Sequence, residues 1–393
     1  MNYRRLKQLY DGKGAKQACQ ELEGLFELGR KGEPGGLKAD ELSIRDVAEA
    51  FVADGREWVE NLKSGGATVL ESMGGVDTTA FANISRQMAF SFFMEAYNAP
   101  EFEISALIPT RQTRIPSGEL IPGSTGLSDA DDEDETIHEL HPYPRISYGE
   151  DWLEMPKLEK RGFIVGVSKE LVWADRTGLF QRDMQNLGYK LRLRREKQAV
   201  DVLIGATNNY TRQDTAFNTY QAATPWINTH ANPVTNWVDF QDAYRLFGNM
   251  TDPNTGEPIV VRPTTVVATP GNSWTIAMVA NATAINTGDI TAAPGIQTTT
   301  RNPVPSFRLV ESQYVYNRLQ TQKSVSASNA AQYWYLGDLA KAFVYLEGWP
   351  IEVTQAPKNS SEEFNNDILF QFKASGYGVY AVLDPRYMVE NTN

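Results

Sequence analysis

The sequence predicts an α+β fold organised around one long helix, and three stretches carry that reading. Asp175–Gly205 opens on cap-type residues, Asp175 or Thr177, and stops at a glycine, the residue favoured just past a helix end. Within it Phe180, Met184, Leu187 and Leu191 recur at helical steps and form one apolar stripe, which Val200, Leu203 and Ile204 resume. At 1.5 Å per residue the rod is roughly 40–45 Å long. The second stretch is the C-terminus, where Ile368, Phe370 and Phe372 alternate, Gly376-Tyr377-Gly378 turns, and Val379–Leu383 runs back. That pattern predicts an antiparallel hairpin needing cover on one face, and the helix stripe is the natural cover. The third is the region from about 214 to 350, whose alternating strand and helix patterns predict a separate α/β domain.

Taken in order, residues 1–76 are charged, helix-leaning and broken by Gly35-Gly36, Gly65-Gly66 and Gly74-Gly75. One helix is expected around Leu22, Leu25, Phe26 and Leu28. A second, with Ser43 as cap, is expected over Ile44, Val47, Phe51, Trp58 and Leu62. The glycine pairs suit a segment draped over partners rather than a compact domain. Thr78–Asn98 predicts a buried helix stopped by Pro100.

Residues 101–170 are proline-rich and strand-like on both sides of an acidic tip. Ile104–Ile115 is one arm, and Arg145–Tyr148 with Gly162–Val167 is the return. So long an excursion is expected to be functional, an arm reaching another subunit. Beyond the long helix, Asn208–Asn236 reads as loop and Trp237–Gly248 as an amphipathic helix. Asp252-Pro-Asn-Thr-Gly256 reads as a turn, and Ile259–Ala268 as a strand demoted by Pro263. Asn272–Ala284 is expected as helix, Gly288–Pro305 as loop, and Ser306–Val315 and Gln332–Leu336 as strands.

Composition narrows the function. With 49 acidic against 37 basic residues the net charge is −12, which opposes a dedicated nucleic-acid binder. The lone Cys19 precludes an internal disulfide and suits a reducing compartment. The N-terminus lacks the apolar core of a secretory signal, and the Met88–Met94 run is far below the ~20 residues of a membrane span, so a soluble intracellular chain is expected. No phosphate-binding loop, dinucleotide fingerprint, nucleophile elbow or zinc-protease motif is present in the sequence. His138 and His141, beside the acidic run, read as solvated loop residues rather than metal ligands. No catalytic, cofactor or metal site is expected.

Two charged features stand out. Lys190, Arg192, Arg194, Arg195 and Lys197 concentrate positive charge on the long helix. Asp129–Glu135, DADDEDE, places carboxylates at Asp131, Asp132, Glu133, Asp134 and Glu135 among others, without the glycine and terminal glutamate of an EF-hand. A solvated helix face, contact with nucleic acid, and pairing with a neighbour's acidic loop are the competing readings of the cluster. Exposed pairs contribute only ~0–1 kcal/mol each, but repeated around a symmetric assembly they set register. Inter-subunit contact is the assignment adopted for both features.

In the order helical arm, buried helix, long hairpin loop, long helix, inserted domain and closing hairpin, residues 78–393 resemble the major capsid protein of tailed bacteriophages, with the Hong Kong 97-type fold. The carriers are FANISRQMAFSFFMEAYNAP, GFIVGVSKELVWADRTGLFQRDMQNLGYKLRLRREKQAVDVLIG, DPNTGEPIVVRPTTVVATP and DILFQFKASGYGVYAVLDPRYM. The resemblance implies an N-terminal arm over 1–76, scaffold-like or retained, then a lead-in helix over 77–100 and an extended loop over 101–166. It implies a peripheral domain with spine helix over 167–213, an axial domain over 214–350, and closing strands over 351–393. It further implies hexamers and pentamers forming an icosahedral virion shell, assembled in the bacterial cytoplasm. That shell would enclose double-stranded DNA without sequence-specific binding or a membrane. Portal, scaffold and decoration proteins are the implied partners. Glu101–Pro156 contains no lysine, so the covalent crosslinking of some members is not expected. An encapsulin-like cargo compartment and a soluble acidic enzyme are the alternatives.

Overall fold

A computed structural model describes residues 3–38, 41–52, 55–61, 77–98, 100–122, 152–174, 176–207, 209–252, 256, 258–288, 297–356 and 368–393. In chain order the elements open with helices α1 (Tyr3–Lys31), α2 (Ile44–Phe51), α3 (Gly55–Asn61), α4 (Asp77–Tyr97) and α5 (Ile104–Leu107). Strands β1 (Thr110–Gln112), β2 (Leu120–Pro122), β3 (Trp152–Glu154) and β4 (Glu159–Ser168) follow. Then come α6 (Lys169–Trp173), the long α7 (Thr177–Leu203), β5 (Tyr210–Arg212), β6 (Thr215–Phe217) and β7 (Thr229–Ala231). The next are α8 (Trp237–Phe247), β8 (Thr265–Ala268), α9 (Pro270–Asn281), β9 (Ala284–Gly288), β10 (Gln297–Arg301) and β11 (Arg308–Glu311). The chain closes with α10 (Gln313–Gln322), α11 (Ala327–Ala330), β12 (Trp334–Gly337), α12 (Leu339–Ala342), β13 (Phe343–Gln355), β14 (Ile368–Val382) and β15 (Met388–Thr392). The class is mixed α+β.

Contacts divide the chain into two units. The first holds Met1–Phe102, Lys160–Arg194 and Trp349–Tyr377; the second holds Glu103–Glu159, Arg195–Gly348 and Gly378–Asn393. The division falls within α7, β13 and β14.

In the first unit the stripe of α7 does what its spacing predicts. Phe180, Met184, Leu187 and Leu191 are all buried. Phe180 meets Phe92 of α4 edge-on at 6.3 Å and Phe372 of β14 at 6.1 Å, while Leu187 and Leu191 join Phe93, Tyr97 and Ala374. The closing strand therefore covers the helix. Gly188 lets α7 approach α4, since a Cβ there would overlap the Phe93 carbonyl oxygen. Leu6, Leu22 and Phe26 of α1 and Val47 and Phe51 of α2 share one core with Met88, Phe92, Phe180 and Phe372. The N-terminal helices thus pack into the unit instead of standing apart as a draped segment. Ser43 does cap α2, its Oγ accepting from the Arg45 and Asp46 amides. The helix expected to run on to Leu62 stops at Phe51, where Val52 is extended, and resumes as α3.

Three strand expectations need correction. Gly376-Tyr377-Gly378 makes no turn: β14 passes straight through it, and the hairpin is formed by β13 and β14, with Ala356 bonded to Gln371 and Thr354 to Lys373. The glycines serve close approach, because a Cβ on Gly376 would sit 2.8 Å from Ile351 Cγ1 and one on Gly378 2.7 Å from the Leu346 carbonyl oxygen. Ser306–Val315 is strand only as far as Glu311, after which α10 begins. Ile104–Ile115 opens with the short α5 rather than as an extended arm. Gly288–Pro305, expected as loop, contributes β10, paired antiparallel with β9 from Gln297↔Gly288 to Arg301↔Ala284. The return piece Arg145–Tyr148 lies outside the described residues.

The second unit is built on a five-stranded sheet in the order β11-β8-β12-β15-β7. The register Tyr335↔Glu390 and Tyr335↔Val267 puts these side chains on one face, and Trp334, Asn391 and Ala268 on the other. Phe240 of α8 covers Trp334 at 5.0 Å and stacks on Phe307 at 6.0 Å. The helix α8 begins in a reciprocal Asn236–Asp239 capping box. In the same unit α7 ends as predicted: Gly205 has φ +69, the Ala206 amide bonds the Asp201 carbonyl, and the Gly205 amide bonds that of Val202.

Candidate functional site

The helical period separates the five cations of α7 into two groups. Arg192 donates to the Phe102 carbonyl oxygen at 3.2 Å and lies 5.5 Å from the Tyr97 ring centre. Arg195 donates from Nε to Tyr380 Oη at 3.1 Å and from Nη2 to Thr110 Oγ1 at 3.3 Å. Its guanidinium lies 4.0 Å from the Tyr345 ring, which itself packs on Tyr380 at 4.7 Å. Lys197 Nζ is 5.9 Å from the Tyr314 ring. Each of these three is half-buried. Lys190 and Arg194 are exposed and make no hydrogen bond or ion pair among the described residues. The acidic residues Asp131, Asp132, Glu133, Asp134 and Glu135, with His138 and His141, lie outside the described residues.

The charged residues that organise the second unit went unremarked in the sequence. Glu196, the one acid in the basic run, is buried and accepts the Ile104 and Ser105 amides at 3.0 and 2.9 Å, satisfying the start of α5. Asp201 holds Arg318 of α10 through both carboxylate oxygens, with Nε to Oδ1 at 2.6 Å. Glu390 accepts from Lys323 at 2.8 Å, Tyr335 at 3.0 Å and Thr229 at 3.2 Å. Burial, then the Glu390 carboxylate, pushes the Tyr335 and Tyr220 phenols well above their ordinary range. Asn228 donates to the Thr219, Pro385 and Met388 carbonyls and accepts the Gln221 amide. A single acid inside a cationic run was the only sequence signal for any of these.

The Asp-Pro-Arg ending has a defined role as well. Asp384 accepts the Arg386 amide and binds its guanidinium through Nε and Nη2, both at 2.8 Å. The third guanidinium nitrogen reaches the Thr251 carbonyl at 3.0 Å. Among the described residues, no group of three or more His, Cys, Asp or Glu is placed to hold a metal ion, and no helix is long and apolar enough to cross a membrane.

Each of these groups fastens one part of the unit to another. The model of the phage capsid protein family matches residues 153–391, more than half of the sequence, and the chain belongs to that family. It is a structural protein of the capsid and not an enzyme. No curated protein matches the chain. Among solved structures, one titled Gordonia phage Cozz aligns at 14% identity, covering 74% of this chain and 86% of that one, with a TM-score of 0.44. The capsid of a native GTA particle aligns at 13% identity over 75% and 90%, with a TM-score of 0.43. The holo-SrpI encapsulin complex of Synechococcus elongatus PCC 7942 aligns at 14% over 75% and 87%, with a TM-score of 0.42. Family membership rests on the sequence match alone.

Proposed function

We propose that this chain is the major capsid protein of a tailed phage or prophage, with the Hong Kong 97-type fold. It assembles with itself as hexamers and pentamers into an icosahedral shell that encloses double-stranded DNA without reading its sequence. The family match over residues 153–391 carries this reading. In it, residues 101–166 are the extended loop laid over a neighbour, 214–350 the axial domain, and 167–213 with 351–393 the peripheral domain. Residues 1–76 are an N-terminal addition whose helices share the core of the first unit. Portal, scaffold and decoration proteins are its partners, and assembly takes place in the host cytoplasm.

The acidic residues Asp131–Glu135 and the basic stretch Lys190–Lys197 are proposed as inter-subunit contacts. What supports this is their opposite charge and the exposure of Lys190 and Arg194. The experiment is nuclease treatment of particles purified from phage-producing cells. The expected result is protected double-stranded DNA inside a shell of this chain; a shell holding only an enzyme would assign it to the cargo-compartment class.

A further inference from the structure

We infer that Trp274 and Met278, on the outer face of α9, form the apolar centre of a contact with a second copy of this chain. The inference rests on the shell reading above and gives that shell a second contact, independent of the charged one.

The amphipathicity of α9 is inverted. Asn272 and Ser273 are buried on its inner face beside Ile276. Asn272 Nδ2 donates to the Gln332 carbonyl at 3.0 Å, and Ser273 Oγ donates to Glu311 Oε2 at 2.6 Å. Just before the helix, Thr269 Oγ1 donates to the Ala331 carbonyl at 2.8 Å. Towards its far end the Val279 carbonyl accepts from Asn302 Nδ2 at 2.7 Å. These bonds fix which way the helix faces. At about 100° per residue, Trp274 and Met278 lie within about 40° of each other, on the side away from Asn272, Ser273 and Ile276. They are 77% and 68% exposed. Rolling α9 over to bury them would strand Asn272 and Ser273, so within one copy they stay outward.

A helix on a free surface carries charge on its outer face. Here α9 carries none, and no charged residue stands between Arg262 and Asp289. Tryptophan and methionine are enriched, and charge depleted, at the centre of protein contacts, where tryptophan is a frequent anchor.

The occupant follows from charge. Phosphate backbones are held by lysine and arginine, which this stretch lacks, so DNA gains nothing there. Surface helices that bind anionic lipid carry basic residues beside their apolar face, and α9 has none. Two copies, each of net charge −12, repel except where neither presents charge. The outer face of α9 is such a place, and its apolar side chains supply the attraction.

The test uses the full-length chain with p-benzoylphenylalanine in place of Trp274, assembled from a mixture of unlabelled and 15N-labelled protein and irradiated. The expected product links position 274 to a peptide of the other isotopic origin. In parallel, sedimentation velocity is expected to show the assembled fraction of W274S/M278S lowered at least tenfold. The circular dichroism and Tm of its unassembled chain are expected to match the parent, because both side chains are already exposed. The variant W274F/M278L keeps the apolar surface and is expected to assemble like the parent. Cross-links confined to one copy, or W274S/M278S shells formed as readily as the parent's, overturn the contact while the shell reading stands. So does flotation of the parent, but not of W274S/M278S, with phosphatidylcholine vesicles, which would give the face to a membrane. A parent chain that never assembles overturns the contact and the shell reading together.

Discussion

Arg386 donates to the carbonyl oxygen of Thr251 at 3.0 Å, joining the Asp-Pro-Arg ending to the residue just before the DPNTGEPIVVRPTTVVATP stretch, 135 positions away in sequence. A turn opens at Thr251, where Thr251 bridges Pro258 and the Gly256 amide bonds Asp252. The Arg386 side chain is only 4% exposed, so both stretches depend on it.

Replacing Arg386 with alanine takes both guanidinium donors from the half-buried Asp384 carboxylate and the donor from the Thr251 carbonyl. The expected loss is about 1–3 kcal/mol of stability, because the Asp384 carboxylate loses its charge-assisted hydrogen bonds while keeping some access to water. Lysine in its place keeps the charge but not the fork, and is expected to recover less than half of that. Denaturant unfolding of R386A and R386K checks both. Equal stability of all three chains would contradict the role given to the pair.

Gly188 sits where α7 and α4 touch, with no room for a Cβ against the Phe93 carbonyl. Substitution G188A is expected to cost about 1–3 kcal/mol by overpacking, against the ordinary gain of alanine in a helix. A thermal melt decides the sign.

Arg194 and Arg195 are neighbours in sequence with opposite fates. R195M loses two hydrogen bonds and the Tyr345 ring contact, for about 1–3 kcal/mol. R194M is expected to stay within about 0.5 kcal/mol of the parent, as exposed substitutions do. Chemical denaturation of the two variants side by side measures the contrast, and equal losses would refute the division of the helix into inner and outer cations.

His230 on β7 has both ring nitrogens buried, with no hydrogen-bond partner among the described residues. Burial lowers its pKa below the usual 6.5, with Asp242 pulling the other way. A depressed folded pKa means that its contribution is complete above about pH 6.5 and is lost as pH falls towards the folded value. The Tm of the parent is therefore expected to fall more between pH 7.5 and 5 than that of H230N. Identical slopes would remove His230 from the acid response.

What was legible in the sequence was local. The α7 stripe, the Ser43 cap, the Gly205 stop and the Trp237–Phe247 helix are each set by residues within a few positions of one another. Gly376 and Gly378 were misread because glycine marks both turns and close approach, and only the chain opposite, at Ile351 and Leu346, tells which. The helix α10 was read as the end of a strand because Tyr314, Val315 and Tyr316 favour extended backbone locally, while the packing of buried Val315 and Leu319 favours the helix. Arg195 looked like a surface cation because its partner Tyr380 lies 185 residues away. The basic stretch was visible as composition, but its split into inward and outward cations required the fold.

Electron microscopy of the purified full-length protein decides whether this chain builds the closed shell proposed for it. Rings or closed particles of uniform diameter are expected, with sixfold and fivefold capsomers in averaged images. A protein that remains strictly monomeric at every concentration and salt tried would contradict it.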